Sequence, residues 1–277
     1  MERGEKAMIV KTAAEAKQDR TYIKALTELL YQLADDDFIV AYRGSEWLGL
    51  APHIEEDVAF SSITQNTMGH AFMYYQLLEE LGEGEADKLA HERQAKERRN
   101  AIYLEKKNGT GTYLENPQFD WALTVVRHYF YEVFKKVKLE AVSTSSYEPL
   151  KLVAQKILME QTYHLAHWEL WITQLIHSTK EAKTRIRERI VEAWQEFGDC
   201  LELGVCHEDM VKHQLITGAQ SISEQWLKRV EATLGTVPSG MPKSRLGNGR
   251  QMEYTADLVD AISVLTEVYV SDQLAVW

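Results

Sequence analysis

An all-α, four-helix-bundle fold with extra C-terminal helices is what this sequence predicts, and three observations predict it. Only five prolines interrupt the 277 residues, and the stretches between them are rich in Ala, Leu, Glu, Lys, Gln and Arg, which lose least on entering a helix. Apolar residues recur at three- and four-residue steps in four long segments, the period of a helix with one buried face. Those segments form two pairs joined by a longer connection, as a bundle with one crossover requires.

The first helix runs from Tyr22 through Leu26, Leu29, Leu30, Leu33 and Val40, until Arg43-Gly44-Ser45 and Pro52 break it. A second begins at Glu55-Glu56-Asp57, acids that suit a helix N-terminus, and carries Ile63, Ala71, Tyr74, Leu77 and Leu78 up to Gly82. Residues 83–116 join the charged stretch 91–107 to the turn-rich Asn108-Gly109-Thr110-Gly111-Thr112, which reads as a short helix and then a long surface connection. The third helix covers residues 119–142 with Ala122, Val125, Tyr129, Val133 and Leu139 inward; Ser143-Thr144-Ser145-Ser146 and Pro149 end it. The fourth has the clearest stripe, Leu150, Val153, Ala154, Ile157, Leu158, Leu165 and Trp168. Two helix pairs around one crossover define the ferritin-like plan. Beyond them, residues 182–201 and 222–234 read as amphipathic helices. A loop over 238–249 follows, and Leu258, Ala261, Ile262 and Leu265 mark a final helix. The expected organisation is a single domain: residues 1–20 as an N-terminal arm, 22–178 as the core bundle, 180–277 as additional packed helices.

A formal net charge of -11 argues against a nucleic-acid partner, which needs a basic surface. Residues 1–20 contain no apolar leader core, and no run approaches the ~18 apolar residues of a membrane span, so a cytoplasmic chain without a membrane partner is expected. Cys200 and Cys206 lack the spacing of a zinc or redox motif and read as plain reduced thiols.

A di-iron bundle takes one carboxylate from each of two helices and a Glu-x-x-His pair from each of the other two, because residues three apart share a face. Here the second helix offers Thr67-Met68-Gly69-His70 and the fourth Gln161-Thr162-Tyr163-His164, each with His in register and the Glu position taken by Thr or Gln. The helical phase turns Thr67, His70, Gln161 and His164 inward. Glu132 shares a face with Val125, Tyr129 and Val133, and Asp37 shares one with Leu30, Leu33 and Val40; Asp36 is the alternative. Asp37, His70, Glu132 and His164 would leave each metal one carboxylate and one imidazole, too few for two irons. The same groups can instead satisfy one another, since a buried carboxylate is costly unless hydrogen-bonded.

Other features carry plainer readings. Trp168, Trp171, Trp194 and Trp226 pack in a core or interface. His164 and His167 stand three apart without a suitably spaced carboxylate, weak grounds for a surface metal site. The basic runs 93–107, Lys135-Lys136-x-Lys138 and Arg185-x-Arg187-x-Arg189 read as solvated faces, or alternatively as a surface for an acidic partner or coenzyme A phosphates.

Several segments resemble a known family. Leu33-Ala34-Asp35-Asp36, Arg43-x-Ser45-Glu46-Trp47-x-Gly49-x-Ala51-Pro52 and Glu55-Glu56-Asp57 are similar to the C subunit of the multicomponent bacterial phenylacetyl-CoA 1,2-epoxidase. So are residues 66–70, Tyr163-His164-Leu165, Gly247-x-Gly249 and Tyr254-Thr255-x-Asp257-Leu258, so that the resemblance spans essentially the whole chain. It implies a ferritin-like structural subunit of aerobic phenylacetate breakdown, with no catalytic residue and no metal or other cofactor of its own. The implied partners are a homologous di-iron catalytic subunit, which places one oxygen atom of O2 on the ring of phenylacetyl-CoA, a small bridging subunit, and an NADPH-dependent flavin and iron-sulfur reductase. On the catalytic paralogue's pattern, Asp37, Thr67, His70, Glu132, Gln161 and His164 fall at the six ligand positions as vestiges, two glutamates having been replaced. The chain departs from the family in keeping more ligand-like residues than expected, His70 above all.

The leading expectation is therefore a non-catalytic subunit that stabilises the catalytic one. The alternatives are a metal-dependent oxygenase acting through Asp37, His70, Glu132 and His164, and a free-standing helical binding protein.

Overall fold

Four long helices carry the fold in this computed structural model, which describes residues 9–272. In chain order the elements are α1 (Ala13–Ala16), α2 (Arg20–Ser45), α3 (Ile54–Glu80), α4 (Ala86–His91), α5 (Ile102–Glu105), β1 (Gly109–Thr110) and β2 (Gln118–Phe119). They continue with α6 (Trp121–Val142), α7 (Glu148–His177), α8 (Lys180–Glu196), α9 (His207–Lys212), α10 (Ala219–Leu234) and α11 (Ala256–Ser271). Local chemistry fixes the long helices' starts. Asp19 accepts from the backbone N–H of Thr21 and Tyr22 at the head of α2, Asp120 from that of Leu123 at α6, and the His53 ring from that of Glu56 at α3. Pro149 stands in the first turn of α7, where it has no helical hydrogen bond to lose.

α2 pairs with α3 and α6 with α7, and the two pairs pack into an all-α bundle on the ferritin-like plan. Between them lies a buried core in which Trp168 packs against Phe60 and His128, while Trp194 and Trp226 close on Phe130 where α8 and α10 meet α6. α8 and α10 cover α6, and α11 lies across α4 and α5, so the additional C-terminal helices dress the bundle. The helix expected over residues 182–201 stops at Glu196, because Gly198 backs onto Pro242 and Lys243 and donates its N–H to the Lys243 carbonyl, turning the chain into a short 3-10 segment. Cys200 and Cys206 are free and buried. Residues 1–8 of the expected N-terminal arm lie outside the described residues, as do 273–277; Val10 bridges to Tyr147. No described helix is long and apolar enough to cross a membrane.

The connection between the pairs departs from the expected surface loop. Its charged part turns inward: Arg98, Asn100, Glu105 and Asn108 are buried among apolar Ala101, Ile102, Tyr103 and Leu104. Each of these four side chains has a fixed partner, which is what makes the burial tolerable. Arg43 donates to the carbonyls of Glu105 and Asp257, and the Glu105 carboxylate accepts from Asn100 and from the N–H and hydroxyl of Thr255. Asp199 accepts from the N–H of Ile102 at 2.7 Å and of Gly249 at 3.0 Å. A Cβ on Gly249 would lie 1.8 Å from the Asn100 carbonyl oxygen, so only glycine lets these two stretches of backbone touch. The β1–β2 hairpin, Gly109 opposite Phe119, stays outside and leads Phe119 and Trp121 onto Trp47.

Candidate functional site

Successive residues on a helix point ~100° apart, so the three adjacent aspartates of α2 face three different neighbours. All three are buried. Asp35 pairs with Arg93 and Arg98 and accepts from Tyr75. Asp36 takes a two-pronged pair from Arg250, at 2.9 and 2.7 Å, and the N–H of Ala101. Asp37 turns toward Tyr131 and Lys135 of the facing helix. The basic runs 93–107 and 135–138 are thus corrected. Arg93, Arg98, Lys135 and Lys138 are internal counter-charges, while Arg185 stays exposed beside Glu181.

Lys135 holds the centre. Its ammonium donates to Asp37 Oδ1 at 2.7 Å and to His70 Nδ1 at 3.0 Å, and the Tyr131 hydroxyl donates to the same Asp37 oxygen at 2.6 Å. An ammonium has no lone pair, so His70 Nδ1 must accept and the ring proton sits on Nε2, which donates to Glu160 Oε2 at 2.9 Å. One chain of hydrogen bonds therefore crosses all four long helices, from Asp37 on α2 through Lys135 on α6 and His70 on α3 to Glu160 on α7. Burial and the Lys135 charge drive the His70 pKa far down and keep the ring neutral. Burial pushes the Asp37 carboxyl upward, and Lys135 and Tyr131 pull it back.

The second half of the interior is quieter. Gln161 donates its amide to the Glu132 carbonyl at 2.7 Å and to Glu132 Oε2 at 3.1 Å, in place of the carboxylate a metal would need there. Thr67 turns its hydroxyl back to the Ile63 carbonyl, 2.9 Å away, and offers no donor atom to the centre. His164 Nδ1 lies 3.9 Å from Glu132 Oε1, too far for a hydrogen bond, and burial with the Lys135 charge lowers the imidazole to about 3. Its ring stands 5.8 Å from that of His70. Burial pushes Glu132 up to about 7, with Asp37 adding to the rise and Lys135 and Gln161 opposing it. His167, the neighbour three residues on, pairs with Glu56, which also accepts from Trp171.

The six positions read from the sequence are all buried, so Asp37, Thr67, His70, Glu132, Gln161 and His164 do face inward. Two carboxylates remain where a pair of irons takes four. Among the described residues no group of three or more His, Cys, Asp or Glu side chains is placed to hold a metal ion. The residues do not fit a di-iron centre: the positive charge that Asp37 and the lone pair of His70 attract is supplied by Lys135, and a divalent cation beside that ammonium would be repelled. The adjoining cavity, lined by Asp36, Asp37, Tyr74, Tyr131, Lys135 and Lys138, measures about 10 Å³, room for no more than a water molecule. Sequence reasoning missed Lys135, Tyr131 and Glu160. A signal was present: three consecutive acids in an otherwise apolar helix need buried cations, and Lys135 and Lys138 stand three apart on an apolar partner helix.

The raised Glu132 pKa has a measurable sign. Between about pH 4.5 and 7 the folded chain keeps a proton that the unfolded chain releases, so this group's contribution to stability falls as pH rises. Glu132→Gln removes that titration and can still accept from Gln161. The stability of the variant relative to the parent is expected to rise by up to ~3 kcal/mol from pH 4.5 to 7.5 in paired urea titrations. A pH-independent difference would show that Glu132 is not held protonated by burial.

Residues 3–277 match the family described as "Phenylacetic acid catabolic protein". The chain is also similar to the C subunit of the 1,2-phenylacetyl-CoA epoxidase of Escherichia coli (strain K12), 23% identical over 221 residues, which are 79% of this chain and 85% of that protein. With the match running almost from end to end, the chain belongs to the phenylacetic acid catabolic protein family.

Proposed function

We propose that this chain is a non-catalytic structural subunit of a multicomponent phenylacetyl-CoA 1,2-epoxidase, holding the homologous di-iron catalytic subunit in its active shape during aerobic phenylacetate catabolism. The observation that carries the reading is the Lys135 ammonium seated between Asp37 and His70. A bundle whose interior charge is balanced by its own lysine keeps its fold without metal, which suits a scaffold. The name of the Escherichia coli relative, one subunit of an epoxidase, supports the complex. On this reading the chain works in the cytoplasm, and the small bridging subunit and the reductase are its further partners.

The test is reconstitution. The catalytic subunit and reductase are assayed for phenylacetyl-CoA epoxidation with and without this chain; activity and catalytic-subunit solubility are expected to depend on it. Equal activity without it would remove the supporting role.

A second reading, an oxygenase acting through Asp37, His70, Glu132 and His164, has one observation in its favour. Both ring nitrogens of the buried His164 are without a hydrogen-bond partner. It requires stoichiometric iron in the isolated chain, lost on Glu132→Gln or His164→Ala.

A further inference from the structure

We infer that the Trp171 indole is a one-electron redox site, which gives an electron to a strong one-electron oxidant and its Nε1 proton to the Glu56 carboxylate. The site lies where α3 begins and α7 nears its end, and no member of the Asp37, Lys135 and His70 chain belongs to it. Four of the seven tryptophans gather there. Trp121 is the hub, its ring centroid 5.1 Å from that of Trp171, 5.0 Å from Trp47 and 6.1 Å from Trp168. Trp168 is fully buried one helical turn beyond His164, whereas Trp171 is half-buried and stacks on the exposed ring of His53. The indoles therefore run in contact from the interior to the surface. Among the described residues no tyrosine ring touches this cluster; its other ring neighbours are phenylalanines and histidines, so a missing electron stays on tryptophan.

Packing accounts for the rings but not for Glu56. This side chain is buried with no lysine or arginine beside it among the described residues, and it accepts from Trp171 Nε1 at 2.6 Å and from His167 Nε2 at 3.0 Å. An apolar residue would fill the same space without the cost of burying a carboxylate. What the carboxylate does for the indole decides the chemistry. The indole N–H can only donate, and loss of an electron from the ring makes its proton strongly acidic. Glu56 is near enough to take that proton in the same step, and its negative charge favours the oxidised ring. The other indoles are not served in this way. Trp194 and Trp226 donate to the carbonyls of Gly240 and Phe130, which cannot keep a proton, and Nε1 of Trp47, Trp121 and Trp168 has no protein acceptor. Among the described tryptophans Trp171 is therefore the easiest to oxidise, and electrons lost anywhere on the cluster are drawn from it. The oxidant gains one electron, Trp171 becomes a neutral indolyl radical, and Glu56 becomes a carboxylic acid. Ascorbate at the half-buried ring returns one electron and releases its own proton to water, while Glu56 returns the indole proton. An oxygen-activating neighbour is one source of such oxidants, but the chemistry stands without it.

The experiment is flash photolysis of the full chain with tris(bipyridyl)ruthenium and persulfate, which supplies ruthenium(III) as the oxidant without any partner protein. Transient absorption separates the neutral indolyl radical from the indole cation radical and from a tyrosyl radical. The parent should form the neutral indolyl radical as its main product, at a rate independent of buffer concentration because the proton acceptor is internal. Trp171→Phe should lower the yield of that radical at least tenfold. Glu56→Gln can still accept from the indole but cannot keep its proton, so the cation radical should appear and lose its proton at least tenfold more slowly. Melting curves accompany both variants; should Glu56→Gln fail to fold, the buffer dependence of the parent tests the acceptor in its place. An undiminished neutral radical in folded Trp171→Phe, or an unchanged rate in folded Glu56→Gln, overturns the inference. So does a buffer-dependent rate, or a parent whose main product is a cation radical, a tyrosyl radical or no radical. None of these results bears on the structural role, which reconstitution tests separately.

Discussion

Replacing Lys135 with Met is expected to destabilise the chain by about 3–5 kcal/mol at pH 7.5, because it strands the Asp37 carboxylate in the interior without its cation. For a protein of this size that is a fall in melting temperature of roughly 6–20 °C. The loss should shrink as pH falls, since burial already favours the protonated form of Asp37 and acid lets it neutralise without a partner. Adding Asp37→Asn to the Lys135 variant should return most of the stability, because an amide still accepts from Tyr131 and leaves no unpaired charge. Urea titrations of the four proteins in the cycle measure the coupling directly. A pair that behaves additively would mean that the ammonium is a bystander.

The second large effect lies where the C-terminal loop meets α2. Arg250→Met removes both hydrogen bonds of the buried pair with Asp36, and the expected cost is again about 3–5 kcal/mol. Lys138 compensates in part only. Its Nζ is 4.0 Å from Asp36, and burial together with Arg250 lowers its pKa to about 7, so loss of the guanidinium lets it charge more readily. Arg250 also donates to the Arg99 carbonyl, and so ties the loop to the buried connection between the helix pairs. Hydrogen exchange should therefore accelerate first over residues 98–108 and 247–257, ahead of the bundle. Uniform acceleration through α2, α3, α6 and α7 would show that the loop is not a separate clamp.

The long helices were legible because apolar spacing is a local signal: Leu26 to Val40 and Leu150 to Trp168 state their phase within one segment. The inward positions of Asp37, His70, Glu132 and His164 followed from the same phase. What could not be read locally was pairing at a distance. Arg93, Lys135 and Lys138 look like solvated charge until Asp35, Asp36 and Asp37 are placed across from them, as only the fold does. The 98–108 connection was misread for the same reason. Its polar residues are satisfied by the Asp199 carboxylate, the Arg43 guanidinium and the backbone and hydroxyl of Thr255, all far away in sequence. The resembling blocks around Arg43-x-Ser45-Glu46, Gly247-x-Gly249 and Tyr254-Thr255-x-Asp257 gain a physical sense here. They contribute to the clamp between α2, the connection and the C-terminal loop.

Iron content of the purified chain tests the central claim most directly. After anaerobic loading with excess ferrous iron and desalting, elemental analysis should find well under one equivalent per chain, with the melting temperature unchanged by loading. Two tightly held equivalents, raising the melting temperature and lost on Glu132→Gln or His164→Ala, would contradict an interior whose cation is its own lysine.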